Sequence, residues 1–519
     1  MLRLLLGIFL ALSAFGQTTA TSKLPPKLVV GIVIDQFRYD YLTRFRSEYK
    51  GGLKRMLDQG AVFTNAFYQH VPTVTAIGHS TFMSGATPAL SGIVGNEWWD
   101  RTAGKRITSV VDASTDLLGA PGDAGKNKGS SPRRLLVSTL GDELKMSGKG
   151  GKVIGVSIKD RSAILPSGHM ADGAYWFDIE SGNFVSSSFY FAALPKWLAD
   201  INATHPTHVY AGTEWMKHKL PAVGRELYRG LEYSPAGNEM IQRLALAALS
   251  SEKLGTGQKI DLLTVSYSAN DYVGHRYGPD SPEVHDMALR VDKLIGELLA
   301  ACEKQAGVGR VLVVLTADHG VSSTPEMSLS RKMPGGRIDT REDRAVVERA
   351  LNARFGDAKW VLDATDAGYF LNPEAIPGRR IDREELERVA AESLRNLPHM
   401  FRVYTRSQLI NGAILEDQVG VRVRNGFNAT RSGNVIVVRN PYWVPGNFAV
   451  TGERTGTTHS SPFSYDAHVP VVFLGTQIRP GRYNGNVAVN DIAPTLATML
   501  EIETPSGSIG RVLDEMLLK

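Results

Sequence analysis

Leu28-Val29-Val30-Gly31-Ile32-Val33-Ile34, followed at once by Asp35-Gln36, is the stretch that decides the fold. It is uncharged and rich in β-branched side chains, which reads as a strand buried on both faces, the kind found in parallel sheets. Val153–Ile158, Leu262–Tyr267, Val311–Leu315 and Val469–Leu474 repeat the pattern and are read as further buried parallel strands. Helical patterns lie between some of them, such as Ser281–Glu303 after Pro279. Strands alternating with helices predict an α/β fold, a doubly wound, mostly parallel sheet with helices on both faces. Residues ~165–255, rich in Tyr, Trp, Gly and Pro, break this alternation, as do residues ~325–455, which open with the basic Gly-Pro segment Arg331–Arg337. Both are expected to be insertions capping the sheet within one large domain over residues 26–519.

Composition narrows the classes. With 43% apolar and 21% charged residues in a chain of 519, the protein is globular rather than disordered. Residues 1–20 read as a signal peptide: Arg3, an apolar run from Leu4 to Phe15, then small residues at Ala14-Phe15-Gly16 or Thr18-Thr19-Ala20 for cleavage. The run is shorter than the ~20 residues a membrane span needs, and no later segment is long and apolar enough, so a soluble periplasmic or secreted protein is expected. Cys302 is the single cysteine, which excludes a thiolate-ligated zinc site, and it falls on the apolar stripe of the 281–303 helix. A net charge of +5 without a Lys/Arg stripe argues against a nucleic-acid partner and is compatible with small anions.

Polar residues appear where four of the strands stop: Asp35-Gln36, Lys159-Asp160-Arg161, Ser268-Ala269-Asn270-Asp271 and Asp318-His319-Gly320. Ligands of open α/β sheets bind beyond the carboxyl ends of the strands, so these four clusters should converge. Asp271 and His275 are spaced i, i+4, on one helical face, and can clasp a cation together. Asp318-His319 and Asp35 close apolar strands, where a buried carboxylate is costly unless it meets a cation. Each has a plainer reading alone: a helix cap for Asp318, and a cap or a pair with Arg38 for Asp35. Their coincidence at strand ends points to metal, and carboxylate and imidazole are what zinc accepts without thiolates.

Pro72-Thr73-Val74-Thr75-Ala76-Ile77-Gly78-His79-Ser80 predicts a helix starting near Thr75, and a helix N-terminus attracts phosphate. A threonine hydroxyl becomes a nucleophile when a base or metal lowers its pKa; otherwise Thr73 or Thr75 is simply the cap. Lys159 and Arg161, at i and i+2 of an extended chain, would point to one side and grip an anion, or remain a solvated charge cluster. Asn96, after Gly95, offers an amide donor or merely a turn.

With these motifs in order, the chain resembles the alkaline phosphatase superfamily, and most closely the threonine-using, phosphate-irrepressible alkaline phosphatases of bacteria, from about Val29 to Val487–Leu500. The resemblance implies one zinc held by Asp271, His275 and His459 and a second by Asp35, Asp318 and His319, with Thr75 as nucleophile between them. His459 matches the family's last metal histidine in Gly456-Thr457-Thr458-His459, with His468 as the competitor. Asn96, Lys159 and Arg161 resemble the phosphate-contacting trio of the monoesterase branch. The implied activity is hydrolysis of small phosphomonoesters through a phospho-threonine by a protein taken as a monomer. A phosphodiesterase of the same superfamily and a non-catalytic exported metal- or phosphate-binding protein are the alternatives. A sulfatase lacks its maturation motif here, since Cys302 is followed by Glu303-Lys304-Gln305-Ala306, and a phosphoethanolamine transferase would need membrane spans.

Overall fold

The computed structural model describes residues 24–446 and 456–518, so the expected signal peptide lies outside the described residues. A ten-stranded sheet organises them. Its strands are β1 Leu28–Ile34, β2 Ala61–Phe63, β3 Leu117–Leu118, β4 Gly150–Ser157, β5 Gly173–Asp178, β6 Asn183–Ser187, β7 Ile260–Tyr267, β8 Val311–Thr316, β9 Val471–Gly475 and β10 Gly481–Tyr483. Their spatial order is β10-β2-β9-β8-β1-β7-β4-β5-β6-β3. The centre, from β8 through β1, β7 and β4 to β5, is parallel. Every residue of β1 is buried, as a strand covered by helices on both faces requires.

Register positions the chemistry. Ile34 pairs with Tyr267, Val33 with Thr316 and Ser157 with Ser266. Continuing those registers by one or two residues sets Lys159, Ser268, Asp35 and Asp318 in one row along the carboxyl rim. Three helices complete it: α1 Thr75–Ser84, α2 Asp160–Ile164 and α3 Ala269–Tyr277. All ten residues of α1 are buried. Its close seat depends on Gly78, where an added Cβ would lie 2.2 Å from the carbonyl oxygen of Asp318. Helix α4, Pro282–Ala306, starts on the Ser281 cap and buries Cys302 in the core, as its stripe predicts.

One expectation changes, and the two stretches read as insertions gain detail. Val469–Leu474 was read as parallel, but β9 runs antiparallel to β8; a strand buried on both faces carries no mark of its direction. The stretch 165–255 extends the sheet as well as covering it: β5 and β6 join it, and Pro235–Ser251 packs as a helix on β7 and β4. Within 325–455 lies a separate four-stranded antiparallel sheet, ordered Val361–Thr365, Gly368–Leu371, Val435–Arg439, Met400–Thr405. It has its own core with the helices Thr340–Phe355 and Arg383–Arg395. No helix among the described residues is long and apolar enough to cross a membrane.

Candidate active site

The rim brings the sequence-predicted side chains into one neighbourhood. Asp35, Asp318 and His319 are fully buried, and their donor atoms form a group within 4.8 Å of one another. His319 Nε2 lies 3.3 Å from Asp318 Oδ2 and 3.6 Å from Asp35 Oδ1. A second such group joins Asp271 and His459, and His319 again completes it. His275 was expected in that place; its Nε2 is 3.1 Å from Asp271 Oδ1, while His459 Nε2 is 3.7 Å from the same oxygen. The His319 and His459 rings stack at 3.5 Å, so the two groups abut. His468 lies elsewhere, sandwiched between Tyr39 and Phe67.

Each of the three histidines is held the same way. Nδ1–H of His275 donates to the Thr457 carbonyl, that of His319 to Gly320 and that of His459 to Thr73. A carbonyl only accepts, so the proton sits on Nδ1 and Nε2 is turned towards the donor groups, where that of His275 meets Asp271 Oδ1; this is how proteins orient metal-binding imidazoles. Asp35 Oδ1, Asp318 Oδ2 and His319 Nε2 are buried without a hydrogen-bond partner. Buried acceptors converging without donors fit a divalent cation, and the all-O/N donor set suits zinc.

Electrostatics follow from burial and crowding. Burial, then Asp318, pushes the Asp35 carboxyl up to about 7, although Lys159 works against this. Burial alone would raise Asp271 as well, but His275 and Lys159 hold it well below the usual carboxylate range. Burial lowers His319 to about 4, and burial beside two other imidazoles keeps His459 far below its ordinary value. These two rings are therefore neutral and ready to ligate at neutral pH.

Thr75 is the first residue of α1, so its hydroxyl stands where the helix N–H groups are free. Neither threonine caps the helix: Thr73 Oγ donates to the Ser461 carbonyl, and Asn96 Oδ1 accepts the Ala76 N–H at 2.9 Å. Asn96 therefore keeps its NH2 as the group able to donate. Lys159 Nζ contacts Asp35 Oδ2 at 2.7 Å, Asp271 Oδ2 at 2.6 Å and Thr75 Oγ at 3.5 Å. The extended-chain argument for Lys159 and Arg161 does not hold, because α2 begins at Asp160 with Lys159 as its N-cap. Both still line one cavity of about 400 Å³ with Thr75, Asn96, Asp271 and His459.

Sequence reasoning assigned no role to Gln36 and His79. Gln36, with φ of 61°, donates through Nε2 to Asp271 Oδ1 at 2.7 Å and through its backbone N–H to Asp318 Oδ1 at 3.1 Å. It thereby ties the two donor groups together. His79 sits on α1 with Nδ1 bonded to the Thr75 carbonyl and 3.4 Å from Asp318 Oδ2. The α1 period could have flagged His79, one turn after Thr75.

A family model described as type I phosphodiesterase / nucleotide pyrophosphatase matches residues 29–461. The chain belongs to that family. It is an enzyme of the alkaline phosphatase superfamily. Alkaline phosphatase PhoV of Synechococcus elongatus is 36% identical, over 97% of this chain and 94% of its own. A Myroides odoratus protein named a calcium-transporting ATPase is 34% identical, over 95% of each. Alkaline phosphatase PafA of Elizabethkingia meningoseptica is 32% identical, over 99% and 98%. The crystal structure of PafA superposes with a TM-score of 0.86 at 32% identity, covering 95% of this chain and 99% of that one.

Proposed function

We propose that this enzyme is an exported alkaline phosphatase that hydrolyses small phosphomonoesters through a covalent phospho-threonine on Thr75, with two zinc ions as cofactor. The observation that carries this reading is the Thr75 hydroxyl at a helix N-terminus beside two abutting groups of carboxylate and imidazole donors, in one of which Asp35, Asp318 and His319 each keep a buried atom with no hydrogen-bond partner. Asp35, Asp318 and His319 would hold one ion, and Asp271, His275 and His459 the other. When bound, the metals supply Lewis-acid charge that lowers the pKa of the attacking hydroxyl and stabilises the leaving oxygen.

The chain's own residues do the rest. Thr75 Oγ forms the new bond to phosphorus as the ester P–O bond breaks and the alcohol leaves. Water then cleaves the P–O bond to Thr75, releasing phosphate and restoring the hydroxyl. The N-terminus of α1 and the Asn96 NH2 offer hydrogen bonds to the phosphoryl oxygens. Lys159 stays protonated because Asp271 and Asp35 outweigh its burial. Its ammonium, 3.5 Å from the nucleophile, and the Arg161 guanidinium bring positive charge to the transferred group. A monoester has more unsubstituted oxygens for that pair than a diester, which favours the monoesterase over the diesterase reading. One threonine, one asparagine, one lysine and one arginine were altered together in a solved variant of PafA, the same residue types in the same chain order as Thr75, Asn96, Lys159 and Arg161.

The test is a matched pair, 4-nitrophenyl phosphate and bis(4-nitrophenyl) phosphate, assayed on the metal-loaded protein. Replacing Lys159 and Arg161 together by Ala should lower monoester kcat/KM on the order of 100-fold more than diester kcat/KM. Equal losses on both would remove the monoesterase assignment.

A further inference from the structure

The same cavity has a wall that the phosphoryl chemistry does not use. Tyr233, Tyr272 and Arg276 line it opposite no named role. Arg276 directly follows His275 on α3, and its guanidinium lies over the Tyr233 ring at 5.0 Å and the Tyr277 ring at 5.8 Å. Elsewhere on the molecule arginines pair with acids: Arg38 with Asp40, Arg44 with Asp40 and Asp280, Arg331 with Asp280, Arg337 with Glu326. Arg276 has no carboxylate within ion-pair distance among the described residues; its recorded partners are aromatic. The Tyr277 hydroxyl takes one hydrogen bond from this guanidinium, which has five N–H donors and so keeps others for a ligand. A position in the last turn of α3 favours a cation, but that explains only the charge, not a guanidinium that lines a cavity with no carboxylate partner. Glu232, an acid beside this wall, hydrogen-bonds Tyr272 and lies under the influence of Lys159 and Arg161.

We infer that Arg276, held by Tyr233, forms a second anion subsite that recognises a carboxylate or phosphate on the leaving alcohol of the substrate. The inference rests on the phosphatase reading above. The Thr75–Lys159–Arg161 side of the cavity takes the transferred phosphoryl group, and the Arg276 side takes the remainder of the ester. Substrates carrying a second negative charge then gain a charge-assisted hydrogen bond that a neutral leaving group cannot make.

The experiment compares phenyl phosphate with 4-carboxyphenyl phosphate on the metal-loaded wild type, Arg276→Ala and Arg276→Lys. Loss of one such bond should lower the ratio of kcat/KM values, carboxylated over plain, about tenfold in R276A. R276K, which keeps the charge without the fork, should recover part of that ratio. A merely structural role for Arg276 would lower both substrates together, so a ratio unchanged in both variants overturns the subsite while leaving the phosphatase intact. Failure of the wild type to hydrolyse either ester would overturn the phosphatase reading, and the subsite with it.

Discussion

The carboxyl rim of the ten-stranded sheet and the four-stranded sheet of the 340–446 region handle buried charge in opposite ways. In the smaller sheet every buried acid has a donor. Asp363 takes a bidentate pair from Arg106, and Asp343 receives both His399 and Arg439. Such pairs fix a surface and leave nothing over for a ligand. At the rim, Asp35, Asp318 and His319 each keep an atom with no partner. Unsatisfied buried acceptors are expensive, and proteins retain them where a ligand supplies what is missing. The contrast teaches where to look for chemistry in this fold: at the atoms the fold leaves unsatisfied rather than at its densest ion pairs.

Besides the Arg106–Asp363 pair, the two regions meet along a seam beside the site. The Val71 N–H donates to the Arg422 carbonyl, Asn425 Nδ2 to the Gln69 carbonyl, and the Arg422 guanidinium to the Pro462 carbonyl. The smaller region thus braces both the approach to Thr75 and the loop that carries His459.

The largest effect should come from Thr75→Ala. If the rim works through this hydroxyl, kcat/KM on a monoester falls on the order of 10⁴-fold or more, as for other covalent nucleophiles. Bound metal, measured by elemental analysis, should stay at the wild-type ratio, because the carboxylates and imidazoles are untouched. Retention of a phosphorylated residue in this variant would place the nucleophile elsewhere.

Next in size is Gln36→Ala, which cuts the Nε2 bond to Asp271 but keeps the backbone bond to Asp318. Loss of an outer-shell partner typically costs 10–100-fold in metal affinity. Titration of the apoprotein with zinc should show that loss in one of two binding steps, the step that uses Asp271. Equal weakening of both steps, or of neither, would mean that Gln36 does not act through Asp271.

Much of this site was legible because strand ends are legible. The apolar runs ending at Ile34, Tyr267 and Thr316 each hand over to an acid, and parallel register converts those sequence ends into neighbours. His459 came from a resemblance, since no strand or helix marks the coil on which it lies. Gln36 was hidden because its reach depends on a left-handed backbone that glutamine seldom adopts. Gly274 gives it room, since a Cβ there would lie 1.8 Å from Gln36 Oε1. The engagement of Lys159 with Asp35 and Asp271 is tertiary, and a Lys-x-Arg spacing contains no trace of it.

The smallest effect probes the seam itself. His70 is fully buried there, 5.0 Å from the Tyr68 ring, with neither ring nitrogen hydrogen-bonded. Burial, aided by Arg422, lowers its pKa from 6.5 to about 3. Between those values the unfolded chain binds a proton that the folded chain does not, so stability falls as pH drops below 6.5. At one pH unit below 6.5 the cost is about 1.4 kcal/mol. His70→Gln removes the titrating group, so its loss of stability between pH 7.5 and pH 5.5, read by denaturant unfolding, should be smaller than that of the wild type by about this amount. The metal ligands titrate alike in both proteins, and the difference isolates His70. Identical acid slopes would show that His70 takes up its proton at an ordinary pH, and that the seam between the two regions is open to water.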